Sequence, residues 1–356
     1  MQKFKRILVT GGGGYIGTHV VEQLLDKGCR VRIFDKFVFG KEILNSLLKN
    51  KNLEAVEGDI SDLYQLSSAL KEVDAVVHLA GLVGDPACAV DPQFTKHMNV
   101  VSTRIIKELS KSFGVKRFIF ASSCSVYGAS DQIVDETSSL NPVSLYAKTK
   151  IDSEKELLDD ENKNFHPIIL RFATVFGHSR RPRFDLVTNF FTAQAYNEGL
   201  ITVAGSQQWR PFIHVADIAR AIVMALEAPL KKADRQIFNV GDDKLNTTIG
   251  ELGKLVEEIV KVNKKGKKVE VSINDNISDK RNYRVSFAKI KKVLGFEAKT
   301  TLETGIKEMT EHFKKGTYQK NYKDTRYINV EMTKLMQVEF KSDGYKRKNI
   351  SALSLE

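Results

Sequence analysis

Thr10-Gly11-Gly12-Gly13-Gly14-Tyr15-Ile16-Gly17 decides how this chain is read. The glycines follow a short apolar run at residues 6–10 and precede a helical pattern over 18–27. A strand that turns tightly through glycine into a helix lets the backbone approach a pyrophosphate. The helix N-terminus supplies free N–H donors and the positive end of its dipole. The next apolar run, 30–34, ends at Asp35. An acid about 20 residues past the glycines accepts a hydrogen bond from a ribose 2′-hydroxyl. Its charge repels a 2′-phosphate, so the expected cofactor is NAD rather than NADP. Glycines alone are a weak signal; strand, helix and acid in register make a strong one. Asp59 and Ile60, after a third run at 53–57, either meet the adenine or simply begin a helix.

Working outward, strand and helix signals alternate. Further strands are expected at 75–79, 117–121 and 167–172, with helices up to Leu70, over 92–113 and over 146–161. Continuous apolar strands separated by helices imply a parallel sheet covered on both faces. Beyond Arg171 the rhythm is irregular, with helices at 185–199, 215–227 and 249–262 and strands at 237–241 and 269–273. The expected fold is α/β: a Rossmann-type doubly wound parallel sheet with a smaller C-terminal substrate-binding lobe. Residues 1–176 would form the dinucleotide domain, with 210–242 returning to it. Residues 177–209 and 243–317 would form the lobe. Residues 318–356 would be a basic C-terminal arm, either packed or loose.

Composition fits a soluble globular protein: 356 residues, 42% hydrophobic and 28% charged. No apolar run approaches the roughly 20 residues that span a bilayer. The opening Met1–Arg6 leads into too short a run for a signal peptide, so a cytoplasmic protein is expected. Cys29, Cys88 and Cys124 have neither metal-ligand nor disulfide-framework spacing, and His78, His97, His178 and His214 share no metal spacing. No metal is expected. The net charge of +11 gathers around Lys264–Lys268 and over 314–348, without interleaved aromatics. That reads as solvated surface before it reads as a nucleic-acid patch.

Two further motifs bear chemistry. In Tyr146-Ala147-Lys148-Thr149-Lys150, the tyrosine and Lys150 share one helical face. A nearby ammonium and an oxidised nicotinamide both favour a phenolate, so Tyr146 can serve as a base. Ala121-Ser122-Ser123-Cys124-Ser125-Val126-Tyr127-Gly128 follows the fifth strand, at the carboxyl edge where such sheets hold ligands.

Together with His78-Leu79-Ala80-Gly81 and Asn99, these motifs resemble the extended short-chain dehydrogenase/reductases. Within them the chain is similar to the NAD-dependent nucleotide-sugar epimerase/dehydratase family, over about residues 5–312. The resemblance implies Ser123 as catalytic hydroxyl, Tyr146 as base, and Lys150 as the cation that binds the nicotinamide ribose. It implies cofactor contacts at Gly11, Gly14, Tyr15, Ile16, Gly17, Asp35, Asp59, Ile60, Leu79, Ala80, Gly81 and Asn99. Substrate contacts would fall to Ser123, Ser125, Thr174, Arg210 and Arg281, the arginines gripping a diphosphate. The plain alternative for each arginine is a surface residue, and it weighs more for Arg281 than for Arg210. The run Arg180-Arg181-Pro182-Arg183 either flanks the pocket or is a solvated loop. The family pairs through the helices placed here at 92–113 and 146–161, which implies a homodimer.

One departure narrows the chemistry. Family dehydratases carry an acidic pair directly after the catalytic hydroxyl; here Cys124 and Ser125 stand there. Dehydration and decarboxylation are disfavoured. The expected activity is oxidation or epimerisation at carbon 4 of a nucleoside-diphosphate sugar. The alternatives are a 4-dehydrogenase or 4-ketoreductase, for example on a GDP-heptose, and more remotely a non-catalytic NAD sensor or nucleic-acid-binding protein. The loop Leu82–Cys88, with Asp85 its one carboxylate, leaves the sugar open.

Overall fold

The computed structural model describes residues 4–159, 162–274, 279, 281–318 and 321–342. The expected helix end at Glu161, the 343–356 part of the basic tail, and Lys280 lie outside these residues.

Seven strands make the central sheet: β1 Ile7–Thr10, β2 Val31–Asp35, β3 Leu53–Glu57, β4 Ala75–His78, β5 Arg117–Ser123, β6 His166–Phe172 and β7 Ile237–Val240. All neighbours are parallel, in the order β3-β2-β1-β4-β5-β6-β7. The order reverses at β1, and the crevice there, at the carboxyl ends of β1 and β4, is where such sheets bind ligands. Apolar side chains leave both faces of the sheet. Val9, Ile33 and Val77 meet Val20, Leu24 and Ile222 on one side; Leu8, Phe34 and Val76 meet Leu66 and Ile106 on the other.

The irregular second half builds a smaller body. Short strands Thr174–Phe176, Trp209–His214 and Asn246–Thr248 form a three-stranded sheet. Helices Val187–Glu198, Ile249–Val260 and Leu302–Lys314 enclose a separate apolar cluster around Phe191, Phe212, Leu252 and Ile306.

Three differences from expectation have physical causes. The helix expected over 92–113 is broken by a π turn, His97–Val101, between Pro92–Lys96 and Ser102–Ser112. The extra residue in that turn aims Asn99 inward, a common use of π turns. Strand Ala129–Val134 pairs with Asn282–Val285, a contact across 150 residues that no local pattern announces. The arm is not wholly loose: Asn329–Ser342 is a helix that packs on Asp85–Cys88.

Candidate active site

The glycine turn is built for close approach. Gly11 has φ +71°, and a Cβ there would lie 2.8 Å from the Ala80 nitrogen; a Cβ on Gly17 would lie 2.2 Å from the Gly11 carbonyl. Both substitutions are sterically barred. The turn opens directly into helix Gly17–Asp26. Asp35 holds the turn from the end of β2, accepting from Gly13 N at 2.9 Å and Phe37 N at 2.7 Å. Burial raises the Asp35 carboxyl above its ordinary value, and those two backbone donors pull the other way.

One cavity joins this turn to the chemical motifs. Its walls include Gly11, Gly14, Tyr15, Ile16, Gly17, Asp35, Asp59, Ile60, Leu79, Ala80 and Gly81. They also include Ser123, Ser125, Tyr146, Lys150, Thr174 and Arg281. Asp59 does not cap the next helix: Asp62 does, accepting from Tyr64 N and Gln65 N, while Asp59 accepts from Ser61. Asn99 stands behind the wall. Its amide exchanges hydrogen bonds with Leu82 N (2.8 Å) and Leu82 O (3.0 Å) and donates to Thr149 Oγ1 (3.1 Å), fixing the Gly81–Leu82 bend against helix Leu145–Leu158.

Ser144 caps that helix through Ala147 N, so Tyr146 and Lys150 sit on its first turns. Ser123 and Tyr146 line this cavity together, and the Ser123 side chain acts on the phenol to favour its ionised form. Lys150 donates to Ala121 O at 2.8 Å, with its ammonium 5.7 Å from the Tyr146 ring centre. Burial pushes the phenol up from its ordinary range, Ser123 opposing, and pulls the Lys150 ammonium down to about 8. The water-poor pocket therefore disfavours charge on either group alone. Cys124 turns away from the cavity, its thiol donating to Arg171 O at 3.2 Å, whereas Ser125 faces in with a buried hydroxyl that has no partner among the described residues.

The arginines divide. Arg281 lines the cavity and is paired with Asp279 and, at 3.4 Å, with Asp85. Arg210 is 4% exposed and is not among the residues that wall this cavity. It donates to Trp209 O and Arg281 O and pairs with Asp279 at 3.1 Å, so it braces the segment that carries Arg281. Burial lowers the Arg210 guanidinium. The Arg180–Arg183 run is mixed: Arg180 is an outer ion pair with Glu22, while Arg181 and Arg183 are buried in the cavity wall. Arg183 makes a bidentate pair with Asp185; Arg181 lies over the Phe39 ring, 3.6 Å from its centre. Burial, then the neighbouring Arg183 charge, lowers Arg181 to about 9.

Four wall residues had no signal in the sequence. Asn329, Met332, Thr333 and Met336 come from the C-terminal helix. Their 329-332-333-336 spacing is helical, but a single low-hydropathy turn in a lysine-rich stretch does not say what it faces.

A dinucleotide suits this crevice. The glycines leave room that any Cβ would fill, the acid waits at the end of β2, and the buried Arg181 Nε has no partner among the described residues. No group of three His, Cys, Asp or Glu able to hold a metal occurs among the described residues, and none of their helices is long and apolar enough to cross a membrane.

Known proteins place this geometry. A sequence profile of the NAD dependent epimerase/dehydratase family matches residues 7–241. The chain is 30% identical over 314 residues to the UDP-glucuronate 4-epimerase of Thermodesulfobacterium geofontis, covering 84% of this chain and 93% of that protein. It is 31% identical over 324 residues to the UDP-glucose 4-epimerase of Bacillus subtilis, covering 83% and 93%. Among solved structures, the Bacillus cereus UDP-glucuronic acid 4-epimerase in complex with UDP-glucuronic acid and NAD superposes with a TM-score of 0.78 at 27% identity, covering 87% of this chain and 99% of that one. The Thermotoga maritima UDP-glucose 4-epimerase with UDP-glucose gives 0.76 at 30% identity, covering 88% and 99%. A parallel sheet reversing at a glycine crevice, a Tyr-x-x-x-Lys helix beside it and this match over most of the chain agree: the protein is an enzyme of the NAD-dependent epimerase/dehydratase family.

Proposed function

We propose that the protein epimerises carbon 4 of a nucleoside-diphosphate sugar, with UDP the favoured nucleotide. The observation that carries this reading is the shared cavity: Ser123, Tyr146 and Lys150 line the same space as the glycine turn and Asp35. Tyr146 takes the proton of the C4 hydroxyl, and Ser123 hydrogen-bonds the same oxygen. Lys150, held on Ala121 O, binds the nicotinamide ribose and supports the phenolate. When bound, NAD supplies a hydride acceptor and donor and adds positive charge near the phenol. Arg281 binds the diphosphate, Arg210 keeps the Arg281 backbone in place, and Thr174 and Ser125 border the sugar.

Two observations favour epimerisation over dehydration. Positions 124 and 125 offer no carboxylate to remove a proton from carbon 5, and Cys124 points away. The UDP-glucuronate and UDP-glucose 4-epimerase relatives stand at 30% and 31% identity, against 27% and 28% for the dTDP-D-glucose 4,6-dehydratase and the UDP-glucuronic acid decarboxylase that also match most of the chain. The protein works as a homodimer joined through helices Ser102–Ser112 and Leu145–Leu158, which already pack on each other within one chain.

The test is incubation of NAD-loaded protein with a panel of UDP-, dTDP- and GDP-sugars, followed by product NMR and absorbance at the reduced-nicotinamide band. A C4 epimer without net NADH supports the reading. Stoichiometric NADH with a 4-keto product makes the enzyme a dehydrogenase instead, and a 4-keto-6-deoxy product refutes the argument from residues 124 and 125.

A further inference from the structure

The C-terminal helix Asn329–Ser342 reaches the cavity from the far end of the chain and touches both of its sides. Asn329 donates from Nδ2 to Val83 O at 3.2 Å, on the loop after β4. Its Oδ1 accepts from Arg181 Nη2 at 2.8 Å and its backbone N–H donates to Asp185 at 3.2 Å, on the loop after Gly177. Gln337 adds a bond to Asp91 at 2.8 Å. Between these ties, Met332, Thr333 and Met336 face the cavity. Met336 packs with the apolar cluster that runs from Phe34 and Ile60 through Met98 to Leu82 and Tyr146.

The approach to this helix is fixed as well. Phe184, next to the cavity-wall residue Arg183, is ringed by Phe313, Tyr318, Tyr322 and Tyr327 at 5.1–6.2 Å between ring centres. Phe184 N–H donates to Tyr327 O at 3.1 Å. Aromatic pairs in this range add to the area they bury, so the chain is stapled to the cavity loop before the helix starts. The solved NAD-containing neighbour is spanned over 99% of its length by 87% of this chain, so about an eighth of this chain lies beyond the shared fold.

We propose that this arm is a wall of the dinucleotide site that closes over bound NAD and slows its release. Met332 and Met336 cover the adenosine half with adaptable apolar surface. Asn329 holds Arg181 on one amino group, leaving the buried Nε free for an anionic oxygen of the cofactor. A cofactor enclosed in this way leaves only when the arm lifts. The inference rests on NAD occupying the glycine crevice.

The experiment uses full-length protein loaded with labelled NAD and chased with excess unlabelled NAD. Met332→Ala/Met336→Ala and Asn329→Ala should each speed release, the double variant by about ten-fold or more, because interface changes act mainly on off-rates. The thermal midpoint of each apoprotein checks that it folds. Independently of any variant, NAD should protect the wild-type arm from trypsin at the exposed Lys334. Release unchanged in both variants, or trypsin cleavage at Lys334 indifferent to NAD, overturns the role of the arm while NAD binding stands. A wild-type chain that retains no NAD removes the cofactor assignment as well.

Discussion

Glu154 and Arg171 meet as a buried bidentate ion pair, with 2.9 Å between Nε and Oε1 and 2.6 Å between Nη2 and Oε2. Glu154 lies one helical turn beyond Lys150 and two beyond Tyr146, so the pair fixes the face that carries the proposed chemistry. Ser122 also donates to Glu154, and Arg171 donates to Tyr127, whose hydroxyl bonds Asn239. The helix is thereby tied to β5, β6 and β7. Arg171→Ala strands a carboxylate in the core and should cost about 3–5 kcal/mol in urea denaturation. Turnover should fall with it, since Tyr146 loses its bearing. A variant as stable as the wild type would show that the pair does not hold the helix.

Tyr146→Phe removes one oxygen from a phenol that lines the same cavity as Ser123. The ring still fills its place, so the fold and the glycine crevice persist. Turnover should drop by about 10²–10⁴, the range for loss of a positioned base. NAD bound per chain, measured after gel filtration, should not change. Retained activity would move the base elsewhere.

Most of this site is legible in the sequence because its signals are local. Gly11, Gly17 and Asp35 fall within one strand–turn–helix–strand unit, and Tyr146 and Lys150 are four apart. The parts that escape a sequence reading depend on contacts between distant segments. Arg210 carries the expected motif, yet Asp279 and the Arg281 carbonyl come back to occupy its guanidinium, and it is Arg281 that reaches the cavity. Asp85, from the loop after β4, completes that arrangement. Met332 and Met336 belong to a stretch whose composition suggests only solvated surface, and the aromatic anchor at Phe184 is needed to bring it in.

Asp35→Asn tests the choice of cofactor. The neutral amide keeps an acceptor for Gly13 N or Phe37 N but loses the charge that repels a 2′-phosphate. Affinity for NAD should weaken, and the preference for NAD over NADP should narrow by about ten-fold or more. Titration of both dinucleotides checks this, and an unchanged ratio would remove Asp35 from the ribose.

Arg281→Ala and Arg210→Ala separate contact from support. On the proposed role, deleting Arg281 removes a charge-assisted bond to the diphosphate and should raise KM for the nucleotide sugar by about thirty-fold or more. KM for NAD should barely move. Deleting Arg210 releases Asp279 and the Arg281 backbone, so its effect on KM should be smaller and come with a loss of thermal stability. If Arg210→Ala proves the worse for KM at equal stability, Arg210 itself grips the phosphates.

His78 sets the acid limit. It is buried at the end of β4, its Nδ1 2.7 Å from Thr10 Oγ1 and its Nε2 3.1 Å from Thr103 Oγ1. Burial, with the Lys150 charge adding, lowers it to about 3. An unfolded histidine takes its proton near pH 6.5. Between those two values the unfolded chain therefore binds a proton that the native chain refuses. Native stability is full above pH 6.5 and falls by about 1.4 kcal/mol per pH unit from this group as the solution is acidified toward pH 3. His78→Gln keeps a donor and an acceptor between the two threonines but does not titrate. It should be less stable than the wild type at pH 7, and urea midpoints at pH 7, 6 and 5 should show that gap closing. Parallel curves would mean that His78 takes up its proton at the same pH in the folded and unfolded chains, and a gap that widens on acidification would mean that the folded protein holds it protonated.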